Sequence, residues 1–394
     1  MLQPIWGDIA IPFTLLLAWL LGELGRRTLG ISRITSYGFV GIIIAIILRV
    51  SQSFFQVDDL WSLTLLAQIA FGLLLFELGY RVNLGWPRRN PWLALSAVTE
   101  AVATFVAVFF VTRFFEFDIV SSLLLAALIT ATSPLTILPV VNELRSSGQV
   151  TERTLHLSAI NCVLAIVAFN AIVGYRVLEN TGTLFNAVWN SFIVLLVSAG
   201  LGMLFGVALP RLLRIAHADE KQSTVAFALG ITALTLVTHS LHFSPILATL
   251  TFGLTARHHR DVRHQAQPNF GSLGDMLIIV LFVHIGSRLQ PEAFVPGLLL
   301  AVALLATRYA AKSLVMLMFA RVSGLSIRKA LLTGVALLPT ASFGILLLEL
   351  AAQQGLDFSG AFAVMGGLLL VVDILSPMIL RYTLIAAGET GKGV

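Results

Sequence analysis

The chain has 394 residues, of which 57% are hydrophobic and only 11% charged, far from the roughly 25% charged side chains of a soluble globular domain. A net charge of +5 without clustered basic residues and interleaved aromatics excludes a nucleic-acid surface. A single cysteine, Cys162, excludes a disulfide framework and a cysteine-based metal site, and no cofactor is expected.

Apolar runs of roughly 16 to 25 residues recur along the whole chain, each long enough to cross a hydrocarbon core of about 30 Å as a helix. Thirteen spans are predicted, at 9–24, 35–50, 60–80, 92–113, 119–142, 152–175, 184–210, 223–238, 244–256, 272–286, 296–320, 328–351 and 358–380. The expected fold class is therefore an all-α polytopic membrane protein. The stretch 223–256 is divided at "THSLHFSP", which interrupts its apolar run. The first span has no basic start and no small-residue cleavage site, so it is expected to be retained. The segment "GETGKGV" lacks phosphate-loop spacing and is read as a tail.

Lysine and arginine report topology, because cytoplasmic loops accumulate them. Alternate connections hold nineteen of these residues and the intervening ones only four, Arg49, Arg113, Arg176 and Arg288. Thirteen spans with the N-terminus outside and the C-terminus cytoplasmic produce that alternation. Arg308 and Lys312 remain inside a span, with Lys312 about sixteen residues into 296–320. A midplane position fits Lys312 better than snorkelling to an interface.

Two segments are alike, "LLLAALITATSPLTILPVVNEL" (123–144) and "KALLTGVALLPTASFGILLLEL" (329–350). The first is interrupted by Thr130, Thr132, Ser133 and Pro134, the second by Pro339, Thr340, Ser342 and Gly344. Proline removes a backbone donor and clashes with the preceding turn, and backbone groups freed at membrane depth are tolerated where they line a cavity or find partners. The broken spans are the fifth and the twelfth, so a unit at 35–175 matches one at 223–380 across a linking span, 184–210. An odd offset of seven spans makes this an inverted repeat within one transporter domain, 1–394, and matched breaks in inverted halves point to a midplane binding site.

Four acids are candidates for a role in the site: Glu77, Glu100, Glu349 and Asp373. Glu77 and Glu349 lie near span ends and suit interfacial roles, whereas Glu100 and Asp373 lie inside spans, where an acid is functional by default. His258, His259 and His264 sit among arginines in "TARHHRDVRHQAQ" and are read as a solvated cytoplasmic loop rather than a metal or proton site.

The sequence resembles the monovalent cation:proton antiporter superfamily, which includes the sodium/proton exchangers and the potassium efflux antiporters. The likeness is carried by "LLGELGRRTLGISRITSYGFVGIIIAIIL", "LLLFELGYRVNL", "ATSPLTILPVVNEL" and "RYAAKSLVMLMFARVSGLSIRKALLTGVAL", in that order. It implies two crossed, unwound helices, a flatter dimerisation domain, a homodimer in the plasma (inner) membrane in contact with lipid, and elevator-like alternating access. It also implies an Asn-Asp or Asp-Asp pair on the helix after the first crossing, and a basic residue opposing it, to which Lys312 corresponds. Here the pair is Asn161 and Cys162, in "SAINCVLAIVAFN", so the carboxylate is missing.

A thiol is a poor substitute, because it stays protonated in apolar surroundings and prefers soft metals to Na⁺ or K⁺. Cys162 is thus read as a small packing residue, while Asn161 can still offer a carbonyl oxygen, with Ser158 one turn back. The expected function is exchange of a monovalent cation for protons, with Thr130, Thr132, Ser133, Asn161 and freed carbonyls binding the cation and Glu100, Asp373 or Lys312 carrying the proton. Two alternatives follow from the missing acid: a non-exchanging sensor or assembly component, or a transporter of an anionic solute drawn to unopposed Lys312 and Arg308.

Overall fold

Each expected span that falls within the described residues forms helix, and the two proline-rich stretches interrupt theirs. The computed structural model describes residues 3–29, 61–83, 90–179, 184–217, 219–241, 243–259, 294–340 and 359–391, with positions 43 and 85 and scattered ones between 270 and 284 and between 344 and 348. The expected span 35–50 (apart from position 43), most of 272–286, His264, Ser342 and Glu349 lie outside them, as does the side chain of Asp373.

Twelve helices can be followed end to end among the described residues: α1 (Gln3–Leu29), α2 (Trp61–Arg81), α3 (Pro91–Phe114), α4 (Ile119–Thr130), α5 (Pro134–Glu143), α6 (Gln149–Glu179), α7 (Leu184–Ile215), α8 (Glu220–Ser240), α9 (Pro245–His259), α10 (Phe294–Met318), α11 (Ile327–Ala336) and α12 (Ser359–Ala387). By length and composition, five stretches among the described residues suffice to cross a membrane: Pro91–Phe114, Gln149–Gly174, Phe192–Ile215, Lys221–Ser240 and Leu299–Met318. The division at "THSLHFSP" is real. After α8 the Phe243 amide folds back to the Thr238 carbonyl at 2.8 Å, the Ser244 amide reaches Ser198 Oγ at 2.9 Å, and Pro245 opens α9, a position that needs no N–H.

The helices form two groups. In one, α9 lies between α2 and α7 with α8 alongside. In lipid, helices gain little from burying apolar side chains, so close backbone approach through small residues drives their packing. A Cβ on Gly253 would lie 2.1 Å from the Phe76 carbonyl oxygen, and one on Gly202 would lie 2.2 Å from that of Ala248. Beside this seam Phe76 meets Phe252 edge-on at 4.7 Å between ring centroids. Since the obstacle at Gly253 is backbone, Gly253→Ala is expected to lower stability by about 1–3 kcal/mol, the cost of overpacking, seen as a lower melting temperature of the protein in nanodiscs.

In the other group, α10 packs against α3, α11 and α12, and α6 packs both against α4 and, as extensively, against α7 of the first group, joining the two. Arg153 at the start of α6 donates to Ser323 Oγ at 3.0 Å, in the turn between α10 and α11. His156 Nδ1 bonds the Glu152 carbonyl at 2.6 Å, which leaves Nε2 to accept the Asn83 amide at 3.0 Å just beyond α2. Glu77 lies at a helix end as expected, bound by Arg81 at 3.0 Å and by Asn142 Nδ2 at 3.1 Å.

The two breaks meet. Asp118 caps α4 by accepting from the Val120 and Ser121 amides. The helix ends at Thr130; Ala131 and Ser133 are extended, and Pro134 starts α5. Likewise α11 ends at Ala336. Thr132 and Thr340 pair in an antiparallel bridge, and the Ser133 amide donates to the Pro339 carbonyl at 3.0 Å. Each unwound stretch therefore satisfies part of the other's backbone.

Candidate transport site

Around this crossing lie side chains from three further helices. From α10, Arg308 and Lys312 are fully buried, and their four-residue spacing puts both on the face toward the breaks. Arg308 Nη2 donates to the Leu337 carbonyl at 3.0 Å, to the Pro339 carbonyl at 3.0 Å and to Thr132 Oγ1 at 3.1 Å, and its Nε donates to the Leu338 carbonyl at 3.2 Å. Carbonyls at the end of a helix lack intrahelical partners, and a guanidinium carries enough fixed donors to serve several. Carbonyls freed at the Pro339 break are expected from the sequence as cation ligands; those of Leu337, Leu338 and Pro339 are instead taken by Arg308.

From α3 comes Glu100, fully buried. Its Oε1 forms an ion pair with Lys312 Nζ and accepts from Thr104 Oγ1 at 3.3 Å, one turn along; its Oε2 accepts from Asn161 Nδ2 at 2.8 Å. Lys312 Nζ also reaches the Thr130 carbonyl at 3.4 Å. Thus Lys312 is not unopposed, as its sequence context suggested. Glu100 does not take the place of residue 162 on α6, yet its carboxylate stands one hydrogen bond from Asn161.

From α6 come Asn161 and Cys162, both fully buried. Asn161 Nδ2 also lies 3.2 Å from Thr132 Oγ1, and the Cys162 thiol donates to the Thr132 carbonyl at 3.3 Å. The structure therefore brings together Thr130, Thr132, Ser133, Pro134, Asn161, Cys162, Arg308, Lys312, Pro339, Thr340 and Glu100. It uses them unequally. The Thr130 hydroxyl donates back to the Ala126 carbonyl at 2.8 Å, and Ser158 Oγ to that of Leu155 at 2.9 Å, so both spend their proton within their own helix, and Thr130 meets Lys312 through its carbonyl. Ser133 Oγ is held by Thr136 Oγ1 at 3.4 Å.

Of the buried polar atoms that lack a hydrogen-bond partner among the described residues, three belong to residues at the crossing: Asn161 Oδ1, Thr340 Oγ1 and Arg308 Nη1. Buried polar atoms are normally satisfied. Side-chain and carbonyl oxygens are the hard donors that monovalent and divalent cations take from protein, and Asn161, which carries one of the two free oxygens, is also hydrogen-bonded to the Glu100 carboxylate.

The transmembrane sodium/hydrogen exchanger family profile matches residues 13–386. The fold is similar to that of the sodium proton antiporter MjNhaP1 from Methanocaldococcus jannaschii. Its structure at pH 8 superposes with a TM-score of 0.64 at 18% identity, covering 97% of this chain and 96% of that one. Its structure from electron microscopy gives 0.68 at 20% identity over the same shares. No curated protein matches the sequence. The family match spans nearly the whole chain, and the superposed folds span it too: the protein belongs to the sodium/hydrogen exchanger family.

Proposed function

We propose that the protein exchanges a monovalent cation for protons across a membrane, with Glu100 as the exchanging carboxylate. The observation that carries this reading is the fully buried Glu100 at the helix crossing, bound on one oxygen by Lys312 and on the other by Asn161. Exchange needs one group that takes either a proton or a hard cation, and a carboxylate does both. The cation's remaining ligands are drawn from Asn161 Oδ1, Thr132, Thr340 and the Thr130 carbonyl. A buried site cannot gain a full charge without large cost, so a cation arriving at Glu100 displaces the Lys312 ammonium or its proton. MjNhaP1, whose fold is similar, is a sodium proton antiporter, which agrees with this assignment.

The two helix groups support elevator-like movement, with the group bearing the crossing moving against α2, α7, α8 and α9. The alternation of basic loops supports an outside N-terminus and a cytoplasmic C-terminus in a plasma (inner) membrane. The inverted repeat of 35–175 and 223–380, and a homodimer, complete the proposed architecture. An anionic solute fits less well, because Lys312 is already paired with Glu100 and Arg308 gives its Nε and Nη2 to three carbonyls and Thr132, leaving Nη1 without a partner.

A non-exchanging role has one observation in its favour: both Glu100 oxygens are satisfied, as they would be in a purely structural ion pair. Proteoliposomes separate the two. With a pH gradient reported by a quenched dye, addition of Na⁺, K⁺ or Li⁺ should restore fluorescence; silence with every cation between about pH 6 and 9, the range over which near-neutral exchange groups titrate, would exclude exchange. In the same assay Cys162→Ala should keep activity within about fivefold, the worth of one weak thiol hydrogen bond. Complete loss would place Cys162 in the exchange chemistry instead.

A further inference from the structure

The segment after α12 is more than a tail. Gly388, with φ of 70°, ends the helix: its amide bonds the Ile385 carbonyl at 2.9 Å and the Glu389 amide bonds that of Leu384 at 3.2 Å, a pairing that only a left-handed residue permits without strain. The reversal delivers Glu389 into the protein, where it is 6% exposed. Its carboxylate accepts the Val150 amide on Oε1 at 2.9 Å, and the Thr151 amide at 2.8 Å and Thr151 Oγ1 at 2.9 Å on Oε2. Val150 and Thr151 are the second and third residues of α6, whose amides an N-cap side chain would ordinarily satisfy.

That local cap is absent because residue 148 is glycine, and a Cβ there would meet Glu389 Cδ at 2.2 Å. The Glu389 carbonyl in turn accepts from the Ser147 amide at 2.9 Å and from Ser146 Oγ at 2.8 Å. Lys329, at the start of α11, stands 3.6 Å from the same carboxylate and bonds Gln149 Oε1 at 3.3 Å. One acidic residue thus ties together the end of α5, the start of α6 and the start of α11, the helices that carry the two breaks and the Asn161–Cys162 pair.

We infer that Glu389 is a positioning residue for the transport site: it caps α6 from another part of the chain and fixes how far Asn161 and Cys162 sit along Thr132. The lever is short, since Asn161 lies ten residues beyond Thr151, about 15 Å along a helix. Assigning this role to an ion site rests on the antiport reading, but its test does not, because Cys162 reports directly on the crossing. It is the single cysteine, fully buried and bonded to Thr132.

The full-length protein in liposomes is labelled with a small uncharged maleimide. Glu389→Ala should label Cys162 about tenfold faster than the wild type, the scale on which loss of a helix cap raises local opening. Glu389→Gln, which keeps one acceptor and the side-chain volume, should fall between them and carries the test if the alanine variant does not fold. Gly253→Ala, destabilised in the other helix group, should label at the wild-type rate despite its lower melting temperature. Wild-type rates in both Glu389 variants would overturn the inference, as would equal acceleration in Gly253→Ala, which would reduce Glu389 to general stability. Ion flux enters none of these measurements, so failure of the antiport reading would show separately, in the dye assay.

Discussion

Glu100→Gln is expected to lower cation-driven proton movement in proteoliposomes at least about a hundredfold, the scale on which loss of an essential proton-transfer group is felt. The amide keeps the shape but binds neither a proton nor a cation in the carboxylate's manner. Stability should fall as well, because Lys312 is left buried without its counter-charge, and breaking a buried pair from one side costs about 3–5 kcal/mol. Lys312→Met should be destabilising by a similar amount, for the mirror reason. The double variant Glu100→Gln with Lys312→Met removes both charges; its melting temperature should recover well above either single variant while transport stays absent. A double variant no more stable than the singles would show that the two side chains are not coupled, and exchange retained in Glu100→Gln would move the proton carrier to Asp373 or Lys312.

The second large effect is at Arg308. Four acceptors depend on it, the Leu337, Leu338 and Pro339 carbonyls and Thr132 Oγ1, and three of these are backbone groups that the second helix break has released. Leaving a buried acceptor unsatisfied costs about 1–3 kcal/mol, so Arg308→Met should cost about 3 kcal/mol or more even if one carbonyl finds another donor. Arg308→Lys should rescue little, since a single ammonium cannot span the set that a planar guanidinium reaches. Thermal unfolding in nanodiscs tests this directly. A lysine variant as stable as the wild type would mean that the crossing is held by its own backbone pairing, the Thr132–Thr340 bridge and the Ser133 to Pro339 bond.

Much of the scaffold could be read from residue order, because the bilayer punishes any departure from helix and so makes each departure conspicuous. Pro134 and Pro339 marked the breaks, Arg308 and Lys312 stood out as charges within a span, and Asn161 stood out in an apolar helix. What stayed hidden depends on partners distant in the chain. Glu100 is 61 residues from Asn161 and 212 from Lys312, and nothing in its own span says that it, rather than another acid, turns toward them. The hydroxyl of Thr130 resembles a ligand in sequence, yet a threonine in helix can satisfy itself on the preceding turn. Glu389 was the least legible. A lone acid in a short polar segment has no periodicity to place it, and its role becomes visible only with the empty Cβ position of Gly148 beside it.

The borrowed cap has a bearing on assembly order. Glu389 and Thr151 are 238 residues apart, so during synthesis the first turn of α6 must wait, its amides uncovered, until α12 has been threaded and docked. Contacts of such separation form late. The polar centre of the molecule is therefore not completed when its own helices enter the bilayer. Its geometry is set only when α12 is in place, and a chain interrupted before that point would hold the breaks, the charges and the asparagine without the register that brings them together.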